Sequence, residues 1–210
     1  RVAPLIVDVP ALLDREPDAE TARRLEDDWD GPMLLFVGQL LPHKRPDLLL
    51  EAFHVLQTYL VPEARLALVG PDRLQPYAVA LRALAAELHL DRAALVGPVS
   101  TEQLVAYYRR ADVFVTVSEH EGFCVPPLEA MAFGLPIVAR DHGAVAETLG
   151  GAGLLLPPDA GATLVAEAMA ALIEDHRLRA DLVERGTTRL HAYDPERART
   201  VLLEHLLSVA

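Results

Sequence analysis

The sequence predicts an α/β domain built as a Rossmann-like, doubly wound parallel sheet, and three observations carry that expectation. Short apolar runs rich in Val, Leu and Ile alternate along the chain with longer segments of helical periodicity, the pattern of strands covered on both faces by crossover helices. Loops rich in Gly, Pro or charged residues follow four of these runs, at Gly38 to Lys44, Gly97 to Ser100, Ser118 to Pro127 and Asp141 to Gly143. In a parallel sheet all such loops share one edge, where doubly wound proteins bind their ligands. Finally, 210 residues, 51% of them apolar, suffice for one large α/β domain with a substantial core.

The opening from Val2 to Pro10 reads as extended and proline-punctuated, and a charged stretch follows as far as Pro32. Residues 1–31 are therefore expected to be a linker, with a short helix between Glu20 and Trp29, and residues 32–210 the folded domain. Met33-Leu34-Leu35-Phe36-Val37 predicts the first strand, and a helix from about Pro46 to Tyr59 follows with an apolar stripe of Leu49, Ala52, Phe53 and Leu56. Arg65 to Gly70 and Ala94 to Gly97 predict two more strands, separated by a helix from about Tyr77 to Leu88. Ser100 and Gln103 form a capping box that starts a helix over Glu102 to Arg109. Val113 to Val117 is the fourth strand, Pro136 to Arg140 the fifth and Gly153 to Leu156 a short sixth, with a short helix running toward Leu149. Helices near Ala162 to Glu174, Arg177 to His191 and Glu196 to Leu207 close the chain, the last started by Asp194-Pro195.

Charge narrows the function. Lys and Arg number 19 against 31 Asp and Glu, a formal charge of -12, which argues against nucleic acid or an anionic membrane as the main partner. No apolar run approaches membrane-spanning length. The single cysteine, Cys124, excludes an internal disulfide framework and fits a reducing, cytoplasmic compartment. The start at Arg1 reads neither as a signal peptide nor as a natural N-terminus, so the chain is expected to be an excised domain.

An anionic ligand would then have to be met by local amides and a few placed cations. Pro127 suits the first turn of a helix-forming segment from Leu128 to Phe133, so amides between Phe123 and Leu128 are expected to gather at a helix start and attract an anion. Glu121 and Glu129 flank this cradle with seven residues between them. Lys44 lies just before another helix start, where its ammonium and nearby amides would act together on a phosphate.

The run from Glu121 to Ala139 follows the pattern E-G-F-x-x-P-x-L-E-A-M-A-x-G-x-P-I-V-A. It resembles the E-x7-E signature of the group 1 (family 4) retaining GT-B glycosyltransferases, and the resemblance extends from about Pro32 to the C-terminus. It implies the C-terminal half of a GT-B fold, which binds a nucleotide diphosphate sugar and transfers the sugar to a hydroxyl acceptor. By resemblance Glu121 holds donor-sugar hydroxyls, Glu129 accepts the ribose diol, and the amides of Gly122, Phe123, Cys124 and Val125 hold sugar and diphosphate. Gly38 to Arg45 resembles the family's G-R-x-x-x-x-K-G segment, in which Arg and Lys bind the diphosphate. Here Gln39 stands at the Arg position and Arg45 where Gly is usual, so either Arg45 compensates or donor affinity falls. Glu121 and Lys44 are the catalytic candidates, with Gly38, Gln39, Arg45, Val99 and Glu129 completing the donor contacts. Val99 fits equally well against a nucleobase or as an apolar turn before a helix. The loop ending at Glu147 resembles a small-residue loop of the family. The acceptor site is expected on a missing N-terminal domain of the same polypeptide, and neither cofactor nor metal is implied.

Other uses of these residues were weighed. Glu119, His120 and Glu121 with His142 offer metal-ligand types, but no second His falls at a spacing that fixes one face. Cys124 has no identifiable base partner and is expected to contribute its amide. A glycosidase carboxylate pair would not need an anion-binding helix start. A binding module without transferase activity and a GT-B sugar epimerase remain as alternatives.

Overall fold

The computed structural model describes residue 7 and residues 9–207. Met33–Val37 (β1) has four fully buried residues in succession, as a strand covered on both faces requires. Arg65–Val69 (β2), Ala93–Gly97 (β3), Val113–Thr116 (β4), Ile137–Arg140 (β5) and Leu154–Leu156 (β6) complete one sheet in the order β3-β2-β1-β4-β5-β6. Every pairing is parallel. The chain winds outward from β1 through β2 to β3, returns to lay β4 beside β1, and then winds the other way. The order of strands thus reverses between β1 and β4, and this is where a crevice opens at the carboxyl ends of a doubly wound sheet.

Alternating side chains divide the core in two. Leu34, Phe36, Leu66, Leu68 and Val115 pack on one face with Leu49 and Phe53 of Pro46–Val55 (α3) and Val165 and Met169 of Ala162–Glu174 (α8). Met33, Leu35, Ala67 and Phe114 pack on the other with Tyr107 and Tyr108 of Thr101–Arg110 (α5) and Leu128 and Met131 of Val125–Ala132 (α6). The capping box of α5 is formed, with Ser100 accepting from the Gln103 amide and Gln103 accepting from the Ser100 amide. The remaining helices are Val9–Leu13 (α1), Ala19–Asp27 (α2), Gln75–Glu87 (α4), Val145–Leu149 (α7), His176–Leu190 (α9) and Pro195–Leu207 (α10).

All six expected strands form, with no end shifted by more than one residue. Three expectations need correction. The opening is expected to be extended, yet Val9 and Pro10 begin α1; Pro10 fits that first turn because its missing N–H has no acceptor there. The other residues of that expectation that precede Val7, together with Asp8, lie outside the described residues. The helix expected from Pro46 to Tyr59 is α-helical to Val55 and then widens into a π turn over Leu56–Leu60. The helix expected from Leu128 begins three residues earlier, at Val125, because Cys124 takes a left-handed conformation (φ 65°) that turns the chain into the helix at once.

Helix α2, expected between Glu20 and Trp29, packs on α5. The Asp18 amide donates to the Glu102 carbonyl at 3.0 Å, Arg24 donates to the Tyr107 hydroxyl at 3.3 Å, and Leu25 is completely buried. Its charge therefore marks an amphipathic helix with one anchoring leucine. Leu25→Ala is expected to lower unfolding free energy by about 2–5 kcal/mol, the cost of a cavity under a buried leucine. Urea titration measures it, and a cost under ~1 kcal/mol would show that α2 does not share the core.

Candidate functional site

The loops that leave β1 and β4 face each other across a cavity of about 270 Å³, lined by Gly38, Gln39, Lys44, Thr116, Glu121 and Cys124 among others. Backbone contacts hold the two loops at a fixed separation. The Glu119 amide donates to the His43 carbonyl at 2.7 Å, which ties the β4 loop to the short helical turn Pro42–Lys44. Behind the β1 loop, Gly70 sits at φ +146°, and a Cβ there would lie 2.0 Å from the Gly38 carbonyl oxygen. That close approach of two backbones requires glycine.

Across the cavity Lys44 Nζ donates to both carboxylate oxygens of Glu121 at 2.7 Å. Ser118 Oγ donates to Glu121 Oε1 at 2.6 Å and lies 3.3 Å from Thr116 Oγ1. Glu121 is 8% exposed, and a carboxylate so buried is tolerable because it is paired and hydrogen-bonded. The loop after β5 supports the same residue from behind. The Ala144 amide donates to the Glu121 carbonyl at 3.1 Å. Gly143, at φ +60°, leaves no room for a Cβ, which would lie 2.3 Å from that carbonyl oxygen.

The expected amide cradle is smaller than the sequence suggests. Pro126 and Pro127 occupy the second and third helical positions and bring no N–H. Among the described residues no backbone acceptor takes the N–H of Gly122, Phe123 or Cys124. These three, with Val125 at the first helical position, are the donors left for a ligand. Phe123 anchors the loop by setting its ring edge-on to Tyr193 at 5.7 Å, and its carbonyl accepts from Thr148 Oγ1 at 2.6 Å. Burial raises the Cys124 thiol well above its ordinary value, and the neighbouring Glu121 carboxylate raises it further. A thiol so held stays protonated and is a poor nucleophile.

Other expected residues take separate places. Arg45 adopts φ 52°, the left-handed conformation that suits glycine. Its guanidinium is paired with Asp47 at 3.0 Å and with Glu119, and it does not line the cavity. Gln39 does line the cavity, as an uncharged side chain. Val99, on the loop after the edge strand β3, is half-buried against the core and outside the cavity lining. Glu129, expected in the first helical turn, falls one turn deeper because α6 starts at Val125. Glu129 Oε2 accepts from the Tyr108 hydroxyl at 2.7 Å. Burial raises this carboxyl above its ordinary 4.5, and the Tyr108 hydrogen bond opposes the rise. Of the suggested metal ligands, Glu119 pairs with Arg45, Glu121 with Lys44, and His142 Nε2 lies 2.8 Å from the Pro158 carbonyl. Among the described residues no group of three His, Cys, Asp or Glu side chains is arranged to hold a metal ion. No helix among them is long and apolar enough to cross a membrane.

Sequence reasoning missed two partners, Ser118 and Tyr108. The second had a signal in the Tyr107-Tyr108 pair of a capped amphipathic helix, which reads as core until the facing helix is known to present a carboxylate.

Comparison with known proteins gives this geometry a setting. Residues 18–189 match the family described as glycosyl transferases group 1. The chain is 32% identical over 210 residues to D-inositol 3-phosphate glycosyltransferase of Xylanimonas cellulosilytica, covering 92% of this chain and 48% of that protein. Sucrose-phosphate synthase from Thermosynechococcus elongatus superposes with a TM-score of 0.80 at 29% identity, covering 100% of this chain and 53% of the other. Anabaena HepE, solved in complex with UDP and glucose, superposes with a TM-score of 0.84 at 21% identity, covering 99% and 57%, a likeness of fold. The chain spans from about a quarter to about half the length of the curated relatives it matches. A doubly wound sheet with its crevice at the switch between β1 and β4, matched by this family over most of its length, places the chain among the group 1 glycosyltransferases.

Proposed function

We propose that this chain is the donor-binding part of a retaining, family 4 GT-B glycosyltransferase, moving a sugar from a nucleotide diphosphate donor to a hydroxyl acceptor. One observation carries the reading: a single cation, Lys44, and a buried carboxylate, Glu121, meet at 2.7 Å over a cavity at the switch point of the sheet. HepE, of like fold, was solved with UDP and glucose, and a nucleotide sugar has the anionic and hydroxyl groups that such a pair would separate and bind. The acceptor site belongs to an N-terminal domain of the same polypeptide that closes over this one. The donor site needs no metal, and a cytoplasmic location suits a nucleotide sugar.

The division of labour follows from charge. As the bond to the anomeric carbon breaks, negative charge grows on the leaving diphosphate, and preorganised donors aimed there lower the barrier. Lys44 and the amides of Gly122 to Val125 do this work, Glu121 orients the sugar through its hydroxyls, and Glu129 accepts from the ribose diol. Donor binding is an exchange of partners, in which Lys44 turns from Glu121 to phosphate and Glu121 turns to hydroxyls. Gln39 adds no charge to replace an arginine and Arg45 is held by two carboxylates, so Lys44 carries the diphosphate charge from the side chains of the β1 loop.

A thermal-shift panel of UDP, GDP, ADP and their sugar conjugates identifies the donor, and no stabilisation by any of them would refute the reading. By calorimetry, Glu129→Ala is expected to weaken nucleotide and nucleotide sugar alike by about 1.5–3 kcal/mol, the worth of a charge-assisted hydrogen bond. Wild-type affinity in that variant would remove the ribose assignment. Glu121→Gln releases Lys44 from its competitor, so the nucleoside diphosphate is expected to bind about threefold to tenfold tighter, a gain of roughly 1 kcal/mol. The nucleotide sugar should gain less, because its hydroxyls lose a charged acceptor. Equal or weaker diphosphate binding would show that the ion pair does not compete with donor. The chain alone is expected to bind donor and transfer nothing, and measured transfer to an acceptor would overturn the assignment of the acceptor site.

A further inference from the structure

Glu129 is a half-buried carboxylate whose two oxygens differ. Oε2 is taken by the Tyr108 hydroxyl at 2.7 Å. Oε1 accepts no hydrogen bond from a described residue, and it is not among the fully buried atoms left without a partner, so it keeps some contact with solvent. Tyr108 is fully buried and cannot drift. Its ring lies parallel to Phe133 at 5.1 Å and stacks on Phe114 at 6.4 Å, so strand β4 and the residue that ends α6 fix the plane in which its hydroxyl points. The same hydroxyl lies 3.5 Å from the Pro126 carbonyl, at the helix start beside the cavity.

We infer that Tyr108 is a positioning residue for the nucleotide: it pins Glu129 Oε2 from a rigid aromatic stack and orients Oε1 toward the incoming ribose. The inference rests on the proposed role of Glu129 and adds to it a residue on a different helix, deep in the core. A donated hydrogen bond stabilises the ionised form of a carboxyl group, and burial works against it. Burial raises the Glu129 carboxyl above 4.5, and the bond from Tyr108 limits the rise.

The surroundings of Glu129 leave this task to Tyr108. Helix α1, packed on α6, brings no titratable side chain. From α9, Gly186 sits against Met131, while Arg189 turns to the carbonyls of Glu147 and Thr148. Helix α7 carries Glu147, and β5 carries Arg140, which bonds to the carbonyls of Val117 and Pro158. The Cys124 thiol bears on Tyr108, and it is held protonated.

The sign of the pH effect follows. Glu129 accepts a ribose hydroxyl best when ionised, so its contribution is present above its pKa and lost as pH falls through it. Removing the Tyr108 hydroxyl raises that pKa further and moves the loss to higher pH. The test is calorimetry of UDP, or of whichever nucleoside diphosphate stabilises the chain, from pH 5 to pH 8, with wild type, Tyr108→Phe and Glu129→Gln. Glu129→Gln supplies the baseline, because the phosphate of the ligand titrates near pH 6. Relative to that baseline, Tyr108→Phe is expected to bind several-fold more weakly than wild type at mildly acid pH and to approach wild type near pH 8, because its Glu129 carboxyl loses its charge at a higher pH. The second reading uses no ligand: carbon NMR of the Glu129 carboxyl should titrate at higher pH in Tyr108→Phe than in wild type. A loss equal at every pH, or an unmoved carboxyl titration, would overturn the role of Tyr108. If Glu129→Gln reproduced wild-type affinity at all pH values while the NMR shift still appeared, the ribose assignment would fail and the Tyr108 bond would stand as structural.

Discussion

One ion pair, between the buried carboxylate of Glu121 and the partly exposed Lys44, sets the geometry of the whole site. The carboxylate of Glu121 lies where an unpaired charge would be costly, whereas the ammonium of Lys44 keeps part of its exposure to water. Together they hold the β1 loop and the β4 loop at hydrogen-bonding distance, and the supporting contacts serve that separation. The Glu119 amide on the His43 carbonyl is a backbone contact, and the approaches of Gly70 to Gly38 and of Gly143 to Glu121 are ones that a Cβ would block. The crevice exists because the strand order reverses between β1 and β4. The ion pair keeps that crevice polar, and in the proposed function it exchanges partners with the donor.

Burial has different chemical consequences at three neighbouring groups. At Glu121 it is offset by Lys44 and Ser118. At Cys124 the Lys44 ammonium offsets only part of it, and the adjacent carboxylate adds to it, so the thiol stays protonated. At Glu129 a neutral hydroxyl offsets part of it, which leaves a carboxyl whose ionisation is tuned by a residue in the core. If the site receives a diphosphate as proposed, each nearby carboxylate opposes the ligand it helps to orient.

The two prolines of α6 play a related part. They fix the first turn and remove two amides from the helix start. The amides left without a backbone acceptor at this helix start are those of Gly122 to Cys124, with Val125 behind them. Lys44 then becomes the main source of positive charge at the cavity, since Arg45 is neutralised by Asp47 and Glu119.

Local pattern determined a good deal by itself. Buried strands declare themselves as apolar runs, the Ser100–Gln103 box and the Asp194-Pro195 start are chemical signals read over three residues, and the spacing of Glu121 and Glu129 is a property of the chain. What the sequence could not decide was which groups meet across elements. The left-handed turn at Cys124 moved the helix start and set Glu129 one turn deeper. The charge of α2 hid the leucine that docks it, and Tyr108 read as core until α6 placed a carboxylate opposite its hydroxyl. Lys44 and Glu121, 77 residues apart in sequence, became partners only when three crossover connections laid β4 beside β1. Periodicity and capping act within a few residues of chain, whereas pairing of charges and orientation of buried hydroxyls depend on distances that exist once the sheet has closed on its helices.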